Sequence, residues 1–176
     1  MKFEIDVSGY DLFHEGYCIC VANDEGTVKG CKLRRELIGS IQENWGKGLY
    51  RYRPTIGQRG ILKARIYCAV IYYIFKNIDG KHKEVDLVVC RDFAGHENNI
   101  KQNLRHFLEK LDGRIIKSIK FDKLPTSSSA HGYAYLMAKD KHNLLPTYVN
   151  INLEEIEKFL KKPTIKSKRK KNKSRV

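Results

Sequence analysis

Val85-Asp86-Leu87-Val88-Val89-Cys90-Arg91-Asp92-Phe93 is the stretch on which the fold turns. From Val85 to Cys90 the residues are nearly all apolar or β-branched, the pattern of a strand covered on both faces, as strands of parallel sheets are. The run ends on Asp92, and an amphipathic helix follows over 97–111. Ile100, Leu104, Phe107, Leu108 and Leu111 fall on one of its sides, and Asp112-Gly113 closes it. A carboxylate at the end of a buried strand costs desolvation unless something compensates, and a divalent cation shared by several carboxylates is a common compensation. Two other segments repeat the arrangement: Ile5-Asp6-Val7-Ser8-Gly9 before it, and Ile119-Lys120-Phe121-Asp122-Lys123-Leu124-Pro125 after it.

Outward from this strand the elements fall into order. Lys2 to Val7 alternates weakly and reads as a strand. Residues 17–22 form a second, closed by the turn signal Asn23-Asp24-Glu25-Gly26, and 27–33 make the return strand of a hairpin. Residues 34–45 carry Leu37, Ile38 and Ile41 at helical spacing. The Gly-, Arg- and Tyr-rich stretch 46–60 reads as a loop. Residues 61–77 are long enough for a helix buried on most sides, despite their β-branched and aromatic middle. Residues 115–121 are a further strand. Ser127-Ser128-Ser129 caps a helix over 130–141, and Asn152 with Glu155 in capping-box position opens a last helix over 153–162. A three-stranded antiparallel opening followed by alternating strands and helices gives an α/β mixed sheet, its later strands parallel, with helices on both faces.

Composition sets the bounds. The chain has 176 residues, 41% hydrophobic and 31% charged, with a formal net charge of +14. This fits one domain, taken as residues 1–162. The last residues, from Lys161, hold nine Lys or Arg and no acid, so 163–176 is expected to be a disordered basic tail. Such a run binds phosphate backbones by counterion release, and Lys168, Arg169, Lys170 and Lys171 are its densest part. Its plainer role is to solubilise. Acid in the first six residues replaces the apolar core of a signal peptide, and no apolar run approaches membrane-spanning length, so a cytoplasmic location and no membrane partner are expected. The five cysteines (Cys18, Cys20, Cys31, Cys68, Cys90) are odd in number and include no C-x-x-C pair, and they read as buried reduced thiols.

The order of elements and the three acidic segments together resemble the ribonuclease H-like superfamily, and in motifs its type 2 ribonucleases H. Ile5-Asp6-Val7-Ser8-Gly9 is similar to the I-D-E-A-G-like motif of their first strand. Asp92, its short turn and the helix after it are similar to their middle strand. Asp122-Lys123-Leu124-Pro125 followed by Ser127-Ser128-Ser129-Ala130 is similar to their later Asp, Pro and small-residue helix start. The resemblance covers most of residues 1–141. Val7 stands where those enzymes carry a second acid, and Ser8-Gly9-Tyr10 replaces their glycine-rich continuation. The helix at 130–141 is also similar to that of RuvC-type resolvases, whose last metal ligand lies on it, and His131 takes that position here.

The resemblance implies a divalent-metal-dependent nuclease acting on RNA, DNA or a hybrid. Asp6, Asp92 and Asp122 or His131 would hold Mg2+ or Mn2+, a His among them favouring Mn2+. Each residue has a plainer reading too: Asp6 as a turn-capping side chain, Asp92 as a helix N-cap, Asp122 in an exposed turn between lysines, His131 as an exposed capping residue. Asp86, six residues before Asp92, belongs at the far end of its strand and reads as structural. Glu36 and Glu43 are possible further ligands with an alternative as solvated helix residues. Arg51, Tyr52, Arg53 and Arg59, with His14, interleave aromatic and basic side chains suited to stacking on bases and pairing phosphates, or else form an irregular loop. The opposing function is a catalytically inactive ribonuclease H-like protein that keeps only nucleic-acid binding.

Overall fold

In the computed structural model residues 1–79 and 83–162 are described. Five strands, β1 (Lys2–Ser8), β2 (Cys18–Asn23), β3 (Val28–Lys32), β4 (Glu84–Val89) and β5 (Ile115–Phe121), form one mixed sheet in the order β3-β2-β1-β4-β5. The opening meander is antiparallel, as expected, with Ile5 opposite Val21 and Asp6 opposite Cys20. β1 runs parallel to β4, with Ile5 beside Val89, and β4 runs parallel to β5. Asn23 closes the β2–β3 turn by accepting from the backbone N–H groups of Glu25 and Thr27.

The helices are α1 (Arg35–Gly46), α2 (Ile56–Lys76), α3 (Glu97–Arg105), α4 (Ser129–Lys139) and α5 (Leu153–Leu160). The helix predicted over 97–111 is α-helical only to Arg105 and continues as a π-helical turn, His106–Leu111, which buries the adjacent pair Phe107 and Leu108. The expected loop 46–60 is shorter than its composition implies: α2 starts at Ile56, after Thr55 in extended conformation. Its first residues are mostly exposed, so they carry none of the apolar spacing by which a helix is read. The Asn152–Glu155 capping box at α5 is present in both directions.

Alternate strand residues face opposite sides, and each side has its own cover. Phe3, Ile5, Ile19, Val21, Val85, Leu87 and Val89 share the main core with α2, whose side chains from Ile66 to Ile71 are fully buried. Phe3 and Phe75 meet edge to face at 5.1 Å; full burial of side chains of this size stabilises by about 1.5–3 kcal/mol each. On the other face Cys18 and Cys20 pack under Ala134 and Met137 of α4, and Ala22 lies against Ala130. Gly30 of β3 makes this seating possible, because a Cβ there would lie 2.5 Å from the Met137 sulfur. Asp86 accepts a hydrogen bond from the Ser118 hydroxyl at the start of β4, the structural role read for it. No helix among the described residues is long and apolar enough to cross a membrane.

Candidate metal centre

Asp6 points to the α4 face of the sheet because Ile5 beside it points to the main core. There it meets His131, whose Nδ1 lies 2.8 Å from Asp6 Oδ2. The Ser128 hydroxyl accepts from the His131 backbone N–H at 3.3 Å, so the cap that begins α4 also fixes where the imidazole starts. An ionised carboxylate can only accept, so in that pairing Nδ1 carries the proton and Nε2 of a neutral ring keeps its lone pair.

β4 delivers its residues to the same place. Ile5 pairs with Val89, so the next residues, Asp6 and Cys90, emerge together at the carboxyl ends of two parallel strands. Cys90 Sγ donates to Asp92 Oδ2 at 3.1 Å. One ligand atom from each of Asp6, Cys90 and Asp92 lies within 4.8 Å of the others. Two donors on one ion can be separated by no more than two bond lengths, about 4.3–4.8 Å for oxygen and sulfur ligands, so the set is within small adjustments of a common cation. Two carboxylates, a thiol and an adjacent imidazole offer hard and soft donors together, which suits a divalent transition-metal ion better than Mg2+.

The electrostatics are unbalanced without a cation. Among the described residues no Lys or Arg forms an ion pair with Asp6 or Asp92, in a chain carrying 34 of them. Partial desolvation raises the Asp92 pKa, the hydrogen bond from Cys90 opposes this, and the charge of Asp6 adds to it. Burial, then the charge and hydrogen bond of Asp92, push the Cys90 thiol far up. Cys20, under α4, is pushed to about 12 by burial and by Asp6.

Other predicted residues fall elsewhere. Asp122 lies beyond β5, one strand farther from β1 than Asp92; it is exposed and accepts from the Lys123 backbone N–H, the plain turn role. It is not part of the Asp6–Cys90–Asp92 group. Glu43 pairs with Lys47, and Glu36 is exposed on α1. The Tyr-Arg-Tyr-Arg rim is not a row of free side chains. Arg51 is tied to the backbone of Leu160 and Lys161, Tyr52 is half-buried against the main core, and Arg59 lies over the Phe13 ring at 5.5 Å; Arg53 is exposed. Lys168, Arg169, Lys170 and Lys171 lie outside the described residues.

Cys90 was missed as a site residue. β4 ends at Val89 and Asp92 lies in the turn after it, so strand spacing does not pair the two, and the thiol reads as core. Next to Asp92 a cleft of about 360 Å³ is lined by Gly9, Tyr10, Tyr17, Lys63 and His96 among others. Lys63 pairs with Asp11, and His96 sits so close to α2 that a Cβ on Gly60 would lie 2.1 Å from its Nε2. The chain matches no family model, no curated protein and no solved structure.

Proposed function

We propose that this chain is a divalent-metal-dependent nuclease of ribonuclease H-like architecture. The observation that carries the reading is the convergence of Asp6 and Asp92, without a Lys or Arg partner among the described residues, beside Cys90 at the carboxyl ends of adjacent parallel strands. Holding an exposed carboxylate, Asp92, this close to a buried one, Asp6, is unfavourable unless a cation offsets the repulsion. The strand order β3-β2-β1-β4-β5, with its antiparallel opening and parallel continuation, supports the architectural part, and the net charge of +14 supports a polyanionic substrate.

Asp6, Asp92 and Cys90 would hold the ion, with His131, outside that group, steadying Asp6 through Nδ1. When bound, the ion supplies a charge for the phosphate oxygens and acidifies a water. The chain's own part is positional. Ser128 sets the start of α4, α4 sets His131, and His131 orients the Asp6 carboxylate. Lys63 and His96 line the adjoining cleft, where a substrate phosphate would meet them. His131 Nε2 can take up or return a proton at the reacting phosphate.

A binding module without chemistry is favoured by one observation: with Asp122 outside the group, only two carboxylates converge among the described residues. The two readings separate in one experiment. Calorimetric titration with Mn2+, alongside a cleavage assay on labelled DNA and RNA, should give saturable binding and metal-dependent cleavage, both abolished by Asp6→Asn. Absence of saturable heat at millimolar Mn2+ together with absence of cleavage would leave the binding module.

A further inference from the structure

A larger cleft lies apart from the one beside Asp92. It encloses about 670 Å³ between the β3–α1 junction and the segment after α4. Its charged lining is Lys32, Arg34, Arg35 and Lys141 against Glu15 and Glu36. Two of the cations are fixed by uncharged acceptors: Lys32 Nζ by the Asp140 carbonyl at 2.8 Å, and Arg34 Nη2 by Asn150 Oδ1 at 2.7 Å. Such anchoring orders a side chain without cancelling its charge. A surface ion pair would have done both. Arg34, Arg35 and Lys141 are exposed, so their charge faces solvent.

Position gives this cleft its meaning. Lys32, the last residue of β3, lies opposite Cys18, the first of β2, and Cys18 lies opposite Ser8, the last of β1. The cleft therefore opens at the same end of the sheet as Asp6 and Asp92. At about 4.8 Å per strand, two strand spacings put it about 10 Å from β1. A duplex strand rises about 3.4 Å per phosphate, so a backbone crossing the Asp6–Asp92 site reaches this cleft within about three phosphates.

We propose that the cleft at the β3–α1 junction grips the sugar–phosphate backbone of a polynucleotide a few phosphates from the point of cleavage. This rests on the reading of the chain as acting on nucleic acid, but not on whether it cuts. Contacts from these cations to phosphate oxygens position the strand and carry no sequence information. The cleft also gives the substrate a direction across the sheet, from β4 towards β3.

The test is equilibrium binding by fluorescence anisotropy in EDTA, with a labelled duplex of about 20 base pairs of DNA and the matching single-stranded RNA, from about 50 to 300 mM salt. The triple variant Arg34→Ala, Arg35→Ala, Lys141→Ala is compared with Lys101→Ala, Lys110→Ala, Lys120→Ala. The second set removes the same charge from exposed positions on α3, its π-helical turn and β5. The cleft variant should bind duplex at least tenfold more weakly at the lowest salt. Its slope of log affinity against log salt should be shallower by about 2–3, at close to one unit per lost contact. The control should change the slope by less than half as much. A second variant, Glu15→Gln with Glu36→Gln, removes repulsion without removing an anchor and should tighten binding severalfold. Equal changes in the two triple variants, or unchanged affinity in both cleft variants, overturn the proposal. The DNA and RNA arms show which backbone is preferred. Because no step requires cleavage, a protein that binds through this cleft but never cuts would refute the nuclease and leave the grip standing.

Discussion

His131 Nδ1 and Asp6 Oδ2 stand 2.8 Å apart, joining the first turn of α4 to the middle strand of the sheet. Asp6 is only 6% exposed, so the imidazole is its compensation in the absence of metal. His131→Ala should lower unfolding free energy by about 1 kcal/mol in metal-free buffer, measured by urea denaturation. Saturating Mn2+ should shrink that loss, since a cation offsets the same carboxylate. A loss unaffected by Mn2+ would place the cation elsewhere.

Cys90 is the donor that distinguishes this group from an all-oxygen site. Co2+ should give a thiolate-to-metal charge-transfer absorption in the near ultraviolet, and Cys90→Ser should remove it while Cys18→Ser leaves it in place. Mg2+, which takes oxygen ligands, should compete poorly with Co2+. Absorption that survives Cys90→Ser would exclude the thiolate as ligand.

Glu157 gives a pH dependence away from the site. Burial acts to raise its pKa, but the Lys161 ammonium, the Tyr50 hydroxyl at 2.9 Å and the Asn44 amide at 2.8 Å outweigh this and hold it below its ordinary 4.5. A depressed carboxylate contributes stability above its unfolded pKa and loses it as pH falls through the folded one. Glu157→Gln should therefore cost about 1–3 kcal/mol at pH 7, with the difference fading below pH 4.5. Thermal melts at both pH values check the sign.

Tyr67 is fully buried, its ring 4.7 Å from Phe93, and its hydroxyl has no hydrogen-bond partner among the described residues. An unpaired buried hydroxyl costs free energy that phenylalanine avoids at almost the same shape. Tyr67→Phe should raise unfolding free energy by about 1 kcal/mol. A lower melting temperature would show that the hydroxyl is satisfied by a bound water.

The sequence carried the sheet well, because strand alternation and turn residues are local. Nearly continuous apolar residues over 85–90 identified a strand with neighbours on both sides, and Asn23 to Gly26 identified a hairpin. The start of α2 was hidden because residues 56–60 are mostly exposed and carry no apolar periodicity. Asp6 and Asp92 were legible as acids at strand ends. Cys90 was not, since a thiol among apolar residues looks like core until the register of β1 against β4 brings it beside Asp6. Asp122 misled for the converse reason. Its segment repeats the strand-then-acid pattern, but β5 is not a neighbour of β1, and no spacing along the chain reveals which strands touch.

Gly30 has a consequence at a distance. It holds the Met137 sulfur on one side and, through its own N–H and C=O, the backbone of Thr147 and Val149 on the other. The far end of α4 thus rests on Gly30 of β3 as well as on Cys18 and Cys20 of β2. His131 lies six residues up the helix, about 9 Å at 1.5 Å per residue, so a swing of about 10° at that end would carry the imidazole about 1.5 Å. That is enough to part it from Asp6. The Asp6–His131 pair therefore depends in part on a glycine with no donor in the site, two strands away, where a single methyl group would act as a wedge under a lever.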